Sequence, residues 1–141
     1  MTTDLIADRW TPFRPHAGQW AAWTSCCRFV GLPCGRGSGK TELAKRRLVR
    51  FLPIVKPWSN PRYFYAAPTR DQAKLLAWDA FKEMIPVEWL AGRPEETSLC
   101  IRTVFGSELR VVGMDKPQRL EGPQWDGGVV DEACDQKPKS F

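Results

Sequence analysis

Eight consecutive residues, Cys34-Gly35-Arg36-Gly37-Ser38-Gly39-Lys40-Thr41, bring three glycines, two cations and two hydroxyls into one short run. That combination suits phosphate. Glycines let the backbone curl so that successive N–H groups point inward at anionic oxygens. The apolar run Phe29-Val30-Gly31-Leu32-Pro33 precedes them and reads as a short buried strand, and the basic segment from Glu42 to Leu52 follows and reads as a helix. The start of that helix adds the positive end of its dipole. In this setting Gly35, Arg36, Gly37, Ser38 and Gly39 line the phosphates of ATP, Lys40 reaches the β- and γ-phosphates, and the Thr41 hydroxyl holds Mg²⁺. One letter departs from the usual G-x-x-x-x-G-K-[ST] pattern, because Cys34 stands where the first glycine is expected.

A second run answers the first. Gly127-Gly128-Val129-Val130 reads as a short strand ending in Asp131-Glu132, with Asp131 lying 91 residues after Lys40. An Asp-Glu pair alone is most often a solvated turn. Opposite a phosphate loop the pair has a division of labour: Asp131 ligates Mg²⁺, directly or through water, while Glu132 orients and deprotonates the attacking water.

These residues need a scaffold that carries them to one place. Pro12 to Ser25 begins with turn residues and becomes helical, with Gln19, Trp20 and Trp23 on it. The helix after the loop stops at Pro53. Arg62 to Ala67 is strand-like and rich in aromatics, and Thr69 with Gln72 reads as a capping box. Ala73, Leu76, Ala77, Ala80, Phe81 and Met84 follow at helical spacing. Leu99–Phe105 and Glu108–Val112 flank Gly106-Ser107, which predicts a hairpin closed by a two-residue type II′ turn. Strands alternating with helices predict an α/β fold of the P-loop NTPase kind, with a mainly parallel sheet flanked by helices and a β-hairpin insertion.

Composition narrows the class. The chain has 141 residues, 43% of them hydrophobic and 11% aromatic, enough for the core of one domain. No apolar run approaches the roughly 20 residues of a membrane span, and Asp4 and Asp8 interrupt any leader, so a soluble, intracellular chain is expected. Five cysteines without C-x₂-C spacing read as reduced thiols, and the sole histidine, His16, has no ligand partners near it in sequence. Residues 1–70 hold 12 Lys and Arg against 3 Asp and Glu, while residues 71–141 hold 9 against 13. The excess concentrates in Lys45-Arg46-Arg47 and Arg50. Such a run is compatible with a polyanion such as DNA, but a solvated helix face is the commoner cause.

Taken in order, these pieces resemble the N-terminal ATPase half of the large terminase subunit, the DNA-packaging motor of tailed bacteriophages. Pro15-His16-Ala17-Gly18-Gln19 looks like the family's adenine motif, and Gly35 to Thr41 like its arginine-bearing phosphate loop. Tyr65-Ala66-Ala67-Pro68-Thr69 is similar to its second strand and helix start, and Gly106 to Gly113 to its hairpin. Leu120 to Asp126 leads into Asp131-Glu132 in the family's manner. The phosphate loop belongs to P-loop enzymes generally; the ordered set is particular to terminases.

The resemblance implies that Gln19 recognises the adenine edge, which its paired donor and acceptor suit. It implies that Arg36 contacts the γ-phosphate or switches with nucleotide state. Arg119, in the loop before the Asp-Glu strand, reads first as a surface arginine, with a trans-acting role on a neighbouring subunit's ATP as the alternative. Many relatives carry arginine where this chain has Glu121, so no arginine role transfers there. The function implied is a Mg²⁺-dependent ATPase powering the packaging of double-stranded DNA into a capsid, in the cytoplasm of a bacterial host. Its partners would be the portal, the small terminase subunit and copies of itself in a ring, with no membrane. Two alternatives stay open: a helicase-like P-loop motor, and a nucleotide-binding fragment without activity.

Residues 1–141 are read as the N-terminal portion of such an ATPase domain, C-terminally incomplete and without the nuclease domain. The resemblance implies a further strand between the phosphate-loop strand and the Asp-Glu strand. Without it the two motif strands are expected to be separated by a gap or forced into direct pairing, in a chain of poor stability.

Overall fold

A computed structural model describes residues 16–25, 29–31, 39–115, 121–122 and 124–131. Helix α1 spans Ala17–Thr24, and His16 caps it. The His16 Nδ1 accepts from the Gln19 backbone N–H at 3.3 Å, and Gln19 Oε1 accepts from the His16 N–H at 3.2 Å. Two helix-end donors are thereby satisfied, and the sole histidine has a structural task. Helix α2 spans Lys40–Phe51 and packs on α1 through Ala22, Trp23 and Leu43.

Four strands form the described sheet in the order β2-β3-β1-β4: β1 Arg62–Ala67, β2 Cys100–Arg102, β3 Glu108–Gly113 and β4 Gly127–Val130. Strand β1 lies centrally, parallel to both β3 and β4, while β2 and β3 form the antiparallel hairpin. Tyr63, Tyr65 and Ala67 project to one face, where they meet Leu109, Val111 and Val129. Leu48 and Val49 of α2 and Leu52, its C-cap, cover that face together with Ala73, Ala77, Trp78 and Phe81. The opposite face carries Phe64, Ala66, Val112 and Val130, with Trp125 edge-on to Phe64.

The helical segment after β1 differs in detail from its predicted periodicity. It comprises α3 (Arg70–Ala73), a wide π turn (Lys74–Trp78) and α4 (Asp79–Met84). Thr69 caps it, accepting from the Gln72 N–H at 3.2 Å. A turn with i→i+5 bonds carries more residues, so Trp78 rather than Leu76 returns to the core beneath Ala73. Trp78 is fully buried and Leu76 is exposed. The indole N–H donates to Glu96 Oε2 at 2.6 Å, which satisfies its polar atom.

The hairpin forms as expected, but its turn is longer than two residues. Thr103 N–H donates to Ser107 O at 3.0 Å and Gly106 N–H to Thr103 O at 3.1 Å, with Gly106 at φ 87°. A tight turn followed by a left-handed glycine gives the closing geometry of a bulged three-residue connection. This tip also fixes the far end of α2, because the buried Ser107 hydroxyl donates to Leu52 O at 2.8 Å and bonds the Thr103 hydroxyl at 2.6 Å. Ser107→Ala is expected to cost about 1–3 kcal/mol by leaving both partners short of a bond. Chemical denaturation measures this, and an unchanged midpoint would remove the clamp from the account.

Of the apolar run before the glycine loop, Leu32 and Pro33 lie outside the described residues, and the three described residues are not in the buried strand that composition predicts. Phe29, Val30 and Gly31 belong to no strand of the described sheet, and Phe29 is 82% exposed. Strand β4 is the outer strand among the described residues, bonded to β1 alone. Cys100 is a buried free thiol, pushed up to about 11 mainly by burial; the other four cysteines lie outside the described residues.

Candidate nucleotide site

Strands β1, β3 and β4 run parallel, so Ala67, Gly113 and Val130 end on one edge of the sheet. In open α/β sheets that edge is where ligands bind. Asp131 follows β4 directly, and its N–H donates to Ala66 O at 2.8 Å, which continues the ladder by one residue. The carboxylate is mostly buried and receives two hydroxyls on the same oxygen. Thr41 Oγ1, in the first turn of α2, donates to Asp131 Oδ2 at 2.9 Å. Tyr65, on central strand β1, donates its phenolic O–H to the same Oδ2 at 2.5 Å. Two residues 90 apart in sequence, one from each motif, are thus in direct contact.

Gly39 opens α2 at φ 80°, a left-handed conformation that favours glycine. A Cβ there would also stand 2.4 Å from Gln19 Nε2. That amide nitrogen donates to Gly39 O at 3.1 Å, so Gln19 ties α1 to the last glycine of the loop. Both ends of the Gln19 amide are engaged, one on the loop and one on its own helix cap. In β4, Gly128 has a steric reason: a Cβ would meet the Phe64 ring at 2.2 Å.

The basic run of α2 is occupied within the fold. Arg47 donates to Ala22 O at 2.6 Å and Ser25 O at 3.0 Å, and Arg50 donates to Trp23 O at 3.1 Å while stacking over the Trp23 ring. These bonds satisfy the carbonyls at the end of α1, where cations also complement the helix dipole. Lys45 and Arg46 pair with Glu42, and Lys45 reaches Leu76 O. The run braces α1, and through it Gln19, against the loop helix.

Of the site residues read from sequence, the structure brings together Gln19 with Gly39 and Thr41 with Asp131, with Lys40 between them in the first turn of α2. Gly35, Arg36, Gly37, Ser38, Arg119 and Glu132 lie outside the described residues. Sequence reading missed Tyr65 as a member of the site. Its only signal was a hydroxyl-bearing ring near the end of the strand beside the Asp-Glu strand.

The donor set fits magnesium. A hydroxyl and a carboxylate are hard oxygen ligands, and Mg²⁺ is typically held by one or two protein oxygens plus water and phosphate. Among the described residues no three His, Cys, Asp or Glu come together, so no cage of that kind competes with this pair. Thr41 and Asp131 are the groups that would hold the ion.

No protein-family model and no curated protein sequence matches the chain. Solved structures do match. The ATPase domain of the large terminase of Thermus phage P74-26 superposes with a TM-score of 0.70 over 92% of this chain and 57% of that one, at 23% identity. A point mutant of that domain gives 0.67 over 89% and 56%, at 24% identity. The chain has the fold of a large-terminase ATPase domain. It spans little more than half the length of the terminase domain it matches. In this chain the terminase-type architecture sets α2, which follows the glycine-rich loop, against β1 and β4 and draws the two motifs to one sheet edge. No described helix is long and apolar enough to cross a membrane.

Proposed function

We propose that this chain is the ATP-binding and ATP-hydrolysing part of a DNA-packaging motor of the large-terminase kind. The observation that carries the reading is the Thr41–Asp131 hydrogen bond, which joins the start of the phosphate-loop helix to the end of the Asp-Glu strand. A terminase ATPase fold supports it.

In this reading the backbone of Gly35 to Gly39 and the Lys40 ammonium hold the phosphates, and Gln19 reads the adenine edge. Thr41 and Asp131 hold Mg²⁺, which when bound neutralises charge on the phosphate oxygens. Glu132 takes a proton from water as the water oxygen bonds to the γ-phosphorus. The bond from that phosphorus to the bridging oxygen breaks, and ADP leaves with the electron pair. Arg36 stabilises charge on the γ-phosphoryl group. The partners are double-stranded DNA, the portal, the small subunit and further copies in a ring, in the cytoplasm of a bacterial host.

The test is calorimetric titration of the chain with ATP, with Mg²⁺ and with EDTA, alongside phosphate release. Binding that strengthens with Mg²⁺ and slow release of phosphate are expected. No binding of ATP in either buffer would sink the reading.

A further inference from the structure

Two tyrosines, the only two in the chain, point from β1 to the same face of the sheet, two residues apart. The Tyr63 hydroxyl is buried and has no hydrogen-bond partner among the described residues. The Tyr65 hydroxyl instead reaches the Asp131 carboxylate at 2.5 Å. Its ring is completely buried and is held edge-on by Phe81, with centroids 5.8 Å apart and planes at 77°. A ring so enclosed cannot swing, so its hydroxyl is a fixed point beneath the site.

We propose that Tyr65 is a positioning residue for the cation-binding carboxylate: its hydroxyl holds Asp131 in the orientation in which that group receives Mg²⁺ beside Thr41. The inference rests on the reading of Thr41 and Asp131 as the cation pair. An aspartate at a strand end has two free side-chain torsions, and one donor leaves rotation about that bond. Here two donors from separate elements, α2 and β1, meet on one oxygen. A hydroxyl has one proton to donate and two lone pairs to offer. Thr41 can therefore donate to Asp131 and face a cation with its oxygen, while Tyr65 keeps the carboxylate in place from the core side. A bond of 2.5 Å lies at the short end of the charge-assisted range. Groups behind a metal ligand of this kind set its affinity, and their loss commonly weakens metal binding about 10- to 100-fold.

The experiment uses the 141-residue chain, Mg²⁺ and a fluorescent ADP. Tyr65→Phe should raise the Mg²⁺ concentration needed for half-maximal nucleotide binding about tenfold, with binding in EDTA unchanged. Tyr63→Phe, the same substitution two residues away, should leave that midpoint where it is. A role confined to packing would lower the melting temperature of Tyr65→Phe equally with and without Mg²⁺ and would not move the midpoint; that result overturns the proposal. A second measurement keeps the Tyr65 hydroxyl. In a Tyr63→Phe chain grown with 3-fluorotyrosine, Tyr65 gives the one ¹⁹F resonance, which should shift on adding Mg²⁺ with ADP but not ADP in EDTA. A resonance that stays still while the wild type binds ADP in a Mg²⁺-dependent way also overturns it. If the wild type binds ADP with no dependence on Mg²⁺, the cation-pair reading itself fails, and the inference falls with it.

Discussion

A Glu132→Gln chain is expected to bind Mg·ATP as the wild type does and to lose turnover by about 10²- to 10⁴-fold. That is the usual contribution of a positioned general base. The amide is nearly the same size as the carboxylate, so it keeps the shape of the site. It cannot accept the proton that leaves water as the γ-phosphorus is attacked. Asp131→Asn should behave differently. It removes charge from a buried group that takes two hydrogen bonds, so Mg²⁺ dependence and nucleotide affinity should weaken together. Binding is read by calorimetry and turnover by phosphate release. A Glu132→Gln chain releasing phosphate at the wild-type rate would move the base elsewhere, while tight Mg²⁺-dependent binding by Asp131→Asn would move the cation.

Lys40→Ala should weaken ATP binding by roughly 1.5–3 kcal/mol, the range for a hydrogen bond to a charged group. That corresponds to about 10- to 150-fold in dissociation constant. The expected effect is local, because Gly39 keeps its turn through the Gln19 bond and Thr41 keeps its bond to Asp131. The apo chain should therefore melt close to the wild-type temperature, which separates a lost phosphate contact from a lost fold. Equal ATP affinity for the two chains would remove Lys40 from the phosphates.

The elements that position the site were legible wherever the signal is local. Strand β1 was marked by its aromatics and α2 by its start after Gly39 and its stop at Pro53. The Thr69 cap was marked by its spacing to Gln72. The turn at Gly106 was placed correctly but its length was not, because a left-handed glycine serves either a two-residue or a bulged connection. Pairing across the sheet decided that. The π turn was illegible for a related reason: Leu76 and Trp78 both suit a helix face, and only packing against the sheet chose Trp78.

For the site itself, residue types and order determined the candidates. A glycine-rich turn ending in Lys40-Thr41 and a strand ending in Asp131 carry their chemistry in their side chains. What the sequence could not contain was the distance between them. Parallel pairing of β1 with β4 and the packing of α2 on that pair bring Thr41 to 2.9 Å from Asp131 across 90 residues of chain. The same packing turned Arg47 and Arg50 from a possible polyanion surface into caps for α1, since the end of a helix leaves carbonyls that need donors. It also recruited Tyr65, whose letter reads as one more core aromatic. A buried hydroxyl needs an acceptor, and only the folded sheet decides which one lies within reach.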